Sequence, residues 1–302
     1  MNILITGGAG FIASHVVDTY IAAGHKVVVL DNLSTGKESN VNERATFHKG
    51  NVCDGEILRK LFDFYQFDAV NHHAAQMDVR RSIREPLFDA EVNILGSLRL
   101  IDAANRAGVK RFIYVSTGGA VYGEPICLPV IEDADINPAC HYGISKHTPE
   151  HYLHLYQEFY GLDYVVLRYP NVYGLRQRPD GEAGVVAIFA RRCLDGKECT
   201  VYGNASRDYV HVSDVARANL MALTAGTNEI INLGSEVATT TQEIYRLVMK
   251  AAKSNGHPIL KPARPGEIAT ISLSGAKAKE MLGWQPEISL DDGIAAVIDS
   301  LR

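Results

Sequence analysis

The first half of the chain alternates short β-branched runs with longer amphipathic segments. Six of these runs have the length and composition of strands, and helical patterns fill the gaps between them. Strands that alternate with helices at this spacing form repeated βαβ units, so the sequence predicts an α/β fold built on a doubly wound parallel sheet with helices on both faces. The predicted strands cover residues 3–6, 26–31, 45–49, 69–72, 111–116 and 164–168.

The first predicted strand runs directly into a glycine-rich turn, in which Gly7 and Gly10 precede an apolar helical pattern. Glycine lets a phosphate approach the backbone, and a helix N-terminus offers unpaired N–H groups and a favourable dipole. Asp31 ends the second strand, where an acidic side chain binds ribose hydroxyls and repels a 2′-phosphate. The alternative is a tight turn followed by a surface aspartate. We favour a Rossmann-type domain that binds NAD through Gly7, Gly10 and Asp31.

A phenol and an ammonium lie four residues apart in Tyr142-Gly-Ile-Ser-Lys146, on one face of a predicted helix. A tyrosine with its usual pKa of about 10 is a poor base at neutral pH, and the charge of Lys146 lowers that pKa. Ser116 and Thr117 close the preceding strand and offer a hydroxyl that can hold an alcohol. These residues predict a catalytic site for hydride transfer, whereas the alternative is an exposed Tyr-Lys pair on a surface helix.

A second pattern overlaps this helix. His147-Thr-Pro-Glu150-His151 reads H-x-x-E-H, the inverted zinc-peptidase pattern, and His154 follows one turn later. The internal proline removes a helical hydrogen bond, and a zinc ion beside Lys146 would compete with the hydride site. We therefore predict no metal and interpret these histidines as part of a solvated helix face.

Composition excludes several classes of partner. Of 302 residues, 46% are hydrophobic and 22% are charged, which is typical of a folded globular protein. The net charge of −5 is mild and the basic residues are scattered, so we expect neither nucleic acid nor a membrane as partner. Residues 1–6 enter a strand without a charged leader, and the five cysteines include no C-x-x-C pair. We expect a cytoplasmic protein with reduced thiols.

Eight motifs spread over the chain carry a family resemblance. They lie at residues 6–12, 31–34, 73–75, 116–123, 142–146, 207–209, 264–267 and 282–284. Together they resemble the extended short-chain dehydrogenase/reductase family, and most closely its NAD-dependent UDP-sugar 4-epimerases. The resemblance implies an isomerase that oxidises and re-reduces C4 of a UDP-hexose, interconverting UDP-galactose and UDP-glucose through a transient 4-keto sugar with tightly bound NAD.

The strand-end motif departs from that family. Alignment on residues 121–123 puts Gly118 where several relatives carry a catalytic serine. Either Thr117 or Ser116 then supplies the hydroxyl, or water does, and we favour Thr117. The following Gly119 also leaves no side chain for the Asp-Glu pair with which related 4,6-dehydratases eliminate water. The motif therefore indicates a simple epimerase.

The remaining site residues are assigned by the resemblance. It makes Tyr142 and Lys146 the catalytic pair and part of the NAD site. Arg207 and Arg264 are expected to clamp the pyrophosphate, because guanidinium groups bind phosphate oxygens bidentately, and Tyr202 to stack on uracil. Further NAD residues are Phe11, Ile12, Asn32, Ser34, Gly36, Asn51, Val52, Ala74, Ala75, Gln76, Asn93 and Pro170, and further UDP-sugar residues are Thr117, Tyr142, Asn171, Val185, Val186, Thr200, Tyr209 and Glu267.

The resemblance also implies an organisation in two parts. Residues 1–168 form the NAD-binding domain, which also receives a segment near 210–238, and residues 169–302 form mainly a smaller mixed α/β domain for the nucleotide sugar. A homodimer is implied, in which each subunit contributes the helices near 86–106 and 142–159. Two alternatives stay open: C4 epimerisation of a UDP-N-acetylhexosamine or UDP-uronate, and a non-catalytic NAD-binding regulatory protein.

Overall fold

A computed structural model describes residues 1–180, 184–263 and 268–302. Within these ranges the strands are β1 (Asn2–Thr6), β2 (Lys26–Asp31), β3 (Thr46–Lys49), β4 (Ala69–His72), β5 (Arg111–Thr117), β6 (Asp163–Tyr169), β7 (Asn171–Tyr173), β8 (Thr200–Tyr202), β9 (Ser206–His211), β10 (Glu229–Asn232), β11 (Ala238–Thr240) and β12 (Ile259–Lys261). The α-helices are α1 (Phe11–Ala22), α2 (Gly55–Phe64), α3 (Val79–Arg84), α4 (Pro86–Ala90), α5 (Ser97–Arg106), α6 (Gly118–Val121), α7 (His141–Tyr160), α8 (Val185–Leu194), α9 (Val212–Met221), α10 (Thr241–Ala252), α11 (Ala276–Leu282) and α12 (Leu290–Leu301).

The largest sheet has seven strands in the order β10-β6-β5-β4-β1-β2-β3, and every neighbouring pair is parallel. The predicted doubly wound α/β fold is therefore confirmed, and each of the six predicted strands lies within one residue of its predicted bounds. The strand order reverses between β1 and β4, so the connections leave a crevice at the carboxyl ends of the strands. This edge of the sheet carries the residues discussed below.

Two apolar layers cover the sheet. On one side α1 and α9 contribute residues such as Val16 and Val215, and on the other side α2, α5 and α7 contribute Leu58, Leu100 and Leu153, all of them buried. Removing each such side chain from water stabilises the fold by about 1.5–3 kcal/mol. These two layers hold α1 and α7 rigidly against the sheet, at the edge where β1 and β5 end.

The predicted helical pattern at 86–106 is continuous but not uniform. A π-helical segment, Glu91–Gly96, joins α4 to α5. Inside it Asn93 donates to the carbonyl of Gln76 over 2.9 Å, to Asp89 over 3.1 Å and to the hydroxyl of Ser145 over 3.0 Å. Segments of π-helix often occur at functional sites, and this one ties the loop after β4 to α7.

The second half of the chain adds smaller sheets and returns one strand to the large sheet. β9 lies between β7 and β11, and β8 pairs with β12. Three helices, α8, α10 and α12, pack on each other through residues such as Phe189, Leu247 and Ile298. Two elements of this half, β10 and α9, pack instead with the first half of the chain: β10 pairs with β6, and α9 packs on α1.

Among the helices in the described ranges, none combines the length and the apolar character that crossing a bilayer requires.

Candidate active site

The turn between β1 and α1 forms a cradle with no room for side chains. Gly7 has φ +73°, and a Cβ there would lie 2.8 Å from the backbone nitrogen of Ala74. A Cβ on Gly10, the N-cap residue of α1, would lie 3.0 Å from the carbonyl oxygen of Gly7, and one on Gly36 would lie 2.8 Å from the backbone of Ala9. The first turn of α1 therefore presents bare backbone N–H groups, the arrangement that binds a pyrophosphate.

Asp31 is fixed beside this cradle at the end of β2. Its Oδ2 accepts from the backbone N–H of Ala9 over 3.0 Å, and its Oδ1 accepts from Leu33 over 2.7 Å. Each carboxylate oxygen keeps a second lone pair that can accept from a ribose hydroxyl. The side chain is only 7% exposed, so a second negative charge such as a 2′-phosphate would meet a rigid carboxylate. The cradle and this acceptor fit NAD.

The other predicted NAD residues lie along the same edge of the sheet, after the ends of β1, β2, β3, β4 and β6. The backbone N–H of Ala74 donates to Thr6 Oγ1 over 3.3 Å, and Gln76 N donates to Asn93 Oδ1 over 2.8 Å. Phe11 and Ile12 form the first turn of α1. The remaining positions in these turns are Asn32, Ser34, Asn51, Val52, Ala75 and Pro170.

Tyr142 stands in the first turn of α7, and the side chain of Thr117 faces its phenol. Burial raises the pKa of Tyr142, and the nearby Cys140 and Asp89 raise it further, whereas the Thr117 hydroxyl lowers it. The phenol is therefore protonated in the protein alone. Its use as a base requires positive charge nearby, and the next turn of the same helix carries a lysine.

Lys146 occupies that next turn and is 3% exposed. Its Nζ lies 4.4 Å from the ring centroid of Tyr114, in cation–π geometry. Burial lowers the pKa of Lys146 to about 7, although Glu150 and Asp89 favour its charged form. A lysine this close to neutrality can change charge in response to a neighbouring proton transfer.

The two hydroxyls that the sequence left as alternatives point to different partners. Successive residues of a strand face opposite sides of the sheet. Ser116, which is 2% exposed, donates to Glu150 Oε1 over 2.5 Å, while the side chain of Thr117 faces Tyr142. Of the two candidates, Thr117 is therefore the one that the fold brings to the phenol, and Ser116 belongs to a separate buried network.

That network also accounts for the H-x-x-E-H pattern. Arg168, from β6, donates to Glu150 Oε2 over 2.6 Å, and His147 Nδ1 lies 3.1 Å from the same oxygen. His147 and His151 approach each other with 2.9 Å between their Nε2 atoms. No group of three or more metal-ligating side chains occurs in the ranges that the structure describes. Glu150, the carboxylate of the pattern, therefore forms a buried ion pair with Arg168.

One predicted substrate residue, Asn171, lines a small cavity next to Thr117. The cavity is lined by Gly119, Pro170, Asn171, Asp208, Ile271 and Leu273. Arg207 and Tyr209 flank Asp208 on β9, and Asn171 pairs with Tyr209 in the register between β7 and β9. Val185 and Val186 begin α8, and Thr200 and Tyr202 lie on β8. Arg264 and Glu267, the two other predicted substrate residues, lie outside the described residues.

Sequence reasoning missed two buried carboxylates at the site. Asp89 is 1% exposed and accepts from Gln76 Nε2 over 2.9 Å. Its negative charge raises the pKa of Tyr142 and favours the charged form of Lys146. Asp208 is 2% exposed, and burial raises its pKa to about 6. The one local signal for Asp89 is its spacing of four residues from Asn93 on a predicted helix, and that spacing is common. For Asp208, its position between Arg207 and Tyr209 was the available signal.

Comparison with known proteins agrees with this geometry. The model of the NAD dependent epimerase/dehydratase family matches residues 3–234. The UDP-glucose 4-epimerase of Thermotoga maritima, solved with UDP-glucose, has a TM-score of 0.97 at 46% identity, over 99% of this chain and 98% of that one. The Thermus thermophilus enzyme of the same name, in complex with NAD, has a TM-score of 0.95 at 42% identity, over 100% and 99%. The UDP-glucose 4-epimerase of Mycolicibacterium smegmatis is 40% identical, over 100% and 99%.

Proposed function

The chain belongs to the NAD-dependent epimerase/dehydratase family, and we propose that it interconverts UDP-glucose and UDP-galactose by inverting the configuration at C4 of the sugar. The observation that carries this proposal is that the hydroxyl of Thr117 faces the phenol of Tyr142, one helical turn before the buried Lys146. The pair stands at the edge of the sheet where the cradle at Gly7 and Gly10 begins. This arrangement supports the proposal of an acid-base group next to a dinucleotide site.

We propose that Gly7, Gly10 and Asp31 hold the adenosine and pyrophosphate parts of NAD, while Tyr142 and Lys146 hold its nicotinamide half. NAD, when bound, supplies the acceptor for the hydride of C4 and returns that hydride to the other face of the sugar. The residues of the chain manage the proton and the orientation of the sugar.

Tyr142 takes the proton of the 4-hydroxyl during oxidation and returns it during reduction. Lowering the pKa of a phenol from about 10 to about 7 requires about 4 kcal/mol of stabilisation of the phenolate. The ammonium of Lys146, in a buried environment where charges interact strongly, supplies part of it. Thr117 donates to the oxygen of the sugar 4-hydroxyl and aligns this oxygen with Tyr142. Proton transfer of this kind contributes about 10²–10⁴-fold to a rate.

The UDP part is proposed to bind along the second half of the chain. Arg207 is a candidate for the pyrophosphate, and Asn171 lies beside Gly119, close to the hydroxyl of Thr117. Tyr202 on β8 offers an aromatic face for the uracil. Inversion at C4 requires that the sugar turn over while the nucleotide stays in place, so affinity should come from these nucleotide contacts.

The activity is tested by incubating the purified protein and NAD separately with UDP-galactose, UDP-N-acetylgalactosamine and UDP-galacturonate, and following conversion by chromatography. We expect UDP-galactose to be converted to UDP-glucose with no net change in NAD. Conversion of only one of the other two sugars would move the activity to that substrate. Bound NAD without conversion of any sugar would support the regulatory alternative and exclude the epimerase.

A homodimer is proposed from an exposed apolar surface on the helices predicted to pair. Leu87 is 86% exposed and Phe159 is 71% exposed. Leu95, Ile144 and Leu155 are also exposed, and the helical segments that carry them pack side by side. A contiguous apolar surface of this kind normally marks an interface, and a second copy of the same two helices would cover it.

The dimer is tested by sedimentation of Phe159→Lys. We expect a monomer, because a charge in the centre of an apolar interface is costly to bury. The matched control is Ile126→Lys, which changes a residue that is 96% exposed in the segment between α6 and α7, outside the helices predicted to pair. A dimer that persists in Phe159→Lys would contradict this interface.

The division into an NAD-binding domain of residues 1–168 that also receives a segment near 210–238, and a second domain formed mainly by residues 169–302, is also a proposal. It is supported by β10 and α9, which pack with the large sheet although they follow residue 169 in the chain. The cytoplasmic location stays a prediction from the sequence.

A further inference from the structure

Gly118, the residue that follows Thr117 in the chain, packs directly against the side chain of Leu273. Gly118 is the first residue of α6 and is buried. A Cβ at this position would overlap Leu273 Cδ1 and lie 2.9 Å from Cδ2 and 3.1 Å from Cγ. The side chain of Leu273 therefore fills the space that any side chain at position 118 would need.

Leu273 cannot easily move aside, because it is held from several directions. Its backbone N–H donates to Asp208 Oδ2 over 3.0 Å, and its carbonyl fills the space that a Cβ on Gly234 would need. The residues on either side of it exchange backbone hydrogen bonds with Val130, at 2.8 and 2.7 Å. The side chain is 1% exposed, and tightly packed interiors transmit such a constraint to their neighbours.

The constraint reaches the catalytic threonine through α6. Val121 and Tyr122 belong to the same apolar cluster as Leu273, and α6 follows Thr117 without a connecting residue. We propose that Leu273 is a positioning residue, which supports the backbone at Gly118 so that the hydroxyl of Thr117 meets Tyr142. The same contact requires glycine at position 118 and so excludes a hydroxyl side chain there. This inference rests on the proposed function of Thr117 and Tyr142.

The contact predicts a compensating pair of substitutions. Leu273→Ala leaves a cavity into which the turn at Gly118 can relax, and a displacement of about 1 Å at a catalytic group can lower a rate about 100-fold. Gly118→Ala alone pushes a methyl group into Leu273. In the double variant the methyl group introduced by Gly118→Ala enters part of the space that Leu273→Ala vacates, so the turn regains support.

The test compares the NAD-loaded wild type with Leu273→Ala, Gly118→Ala and the double variant. We expect Leu273→Ala to lower kcat for UDP-galactose about 10–100-fold while KM changes less than about threefold. The double variant should recover at least about fivefold in kcat over Leu273→Ala. The matched control is Leu247→Ala, a buried leucine of the α8, α10 and α12 cluster, which should lower Tm without changing kcat. If Leu273→Ala does not fold, Leu273→Val serves in its place, with the same pattern at smaller amplitude.

Crystal structures of the variants give a readout that does not depend on the substrate. We expect the distance between Thr117 Oγ1 and the Tyr142 hydroxyl oxygen to increase in Leu273→Ala and to return to the wild-type value in the double variant. The inference is overturned if this distance is unchanged in Leu273→Ala, if kcat falls no more than in Leu247→Ala, or if the double variant shows no recovery. Absence of turnover in the wild type would reject the proposed function, whereas the crystal structures would still decide the positioning by Leu273.

Discussion

The hydroxyl of Ser116 donates to Glu150 Oε1 over 2.5 Å, on the face of β5 opposite to the side chain of Thr117. Glu150 is in turn bonded to Arg168, so Ser116 belongs to a buried ion-pair network that extends from α7 to β6. The side chain of Thr117, one residue later, faces the phenol of Tyr142. Neighbouring hydroxyls thus serve separate purposes, one structural and one at the site of the proposed chemistry.

Substitution of the two hydroxyls should separate these purposes. We expect Thr117→Ala to lower kcat about 10²–10³-fold, because the phenol and the sugar lose a shared hydrogen-bond donor, and Thr117→Ser to stay within about tenfold of wild type. Ser116→Ala should keep kcat within about threefold but lower the free energy of unfolding by about 1–3 kcal/mol, since Glu150 loses a donor. Steady-state kinetics and urea unfolding check both expectations, and the reverse pattern would make Ser116 the catalytic hydroxyl.

Tyr142→Phe should remove the base and keep the fold. We expect kcat to fall at least about 10³-fold, because a ring without a hydroxyl cannot carry the proton of the 4-hydroxyl. Binding of NAD should persist, since the cradle at Gly7 and the carboxylate of Asp31 are unchanged. The measurement pairs a turnover assay with the NAD content of the purified variant. Turnover near that of wild type would show that another group is the base.

Lys146→Met should lower the activity and raise the stability of the NAD-free protein. Burial lowers the pKa of Lys146 to about 7 in the folded protein, so below that pH the fold holds a charged lysine that it disfavours. The penalty, about 4–5 kcal/mol, is complete below pH 7 and disappears as pH rises towards the unfolded value of about 10.4.

In NAD-free protein, urea unfolding at pH 6 should therefore show Lys146→Met to be more stable than wild type, with a smaller difference at pH 9.5. Its kcat should fall at least about 100-fold. A wild type that is the more stable protein at pH 6 would show that the charge of Lys146 is compensated in the fold.

Glu150→Gln should destabilise the protein strongly. Burial works against ionisation of Glu150, but the hydrogen bonds from His147 and Arg168 outweigh it and keep the pKa of its carboxyl below the usual range. The pair therefore stabilises the fold at neutral pH, and this contribution is lost as pH falls below about 4.3. Glu150→Gln leaves the guanidinium of Arg168 buried without its counter-charge, so we expect a loss of about 3–5 kcal/mol at pH 7 in urea unfolding. Glu158→Gln, an exposed residue of the same helix, is the control and should change stability by less than about 0.5 kcal/mol.

Removal of metal ions should have no effect on turnover. The carboxylate of the H-x-x-E-H pattern is bonded to Arg168 and Ser116, which leaves the pattern without its acidic member. We expect kcat to stay within error after dialysis against EDTA, with zinc content measured on the same sample. A loss of activity that added zinc restores would revive the metal hypothesis.

The sequence by itself determined those features of this protein that depend on local spacing. The alternation of strands and helices predicted the parallel sheet, and the turn with Gly7 and Gly10 followed by Asp31 predicted the dinucleotide site. Tyr142 and Lys146 could be paired because residues four apart share a helix face whatever surrounds them. These inferences needed only the periodicity of the backbone.

Only the tertiary structure decided which groups act together across the chain. It turned Ser116 towards Glu150 and Thr117 towards Tyr142, and it brought Leu273 from the far end of the chain against Gly118. Such contacts join segments that are distant in sequence, and they depend on how side chains share a limited volume in a close-packed interior. A local sequence pattern contains no information on this packing. The choice between Thr117 and Ser116 as the hydroxyl near Tyr142 therefore stayed open until the packing around them was known.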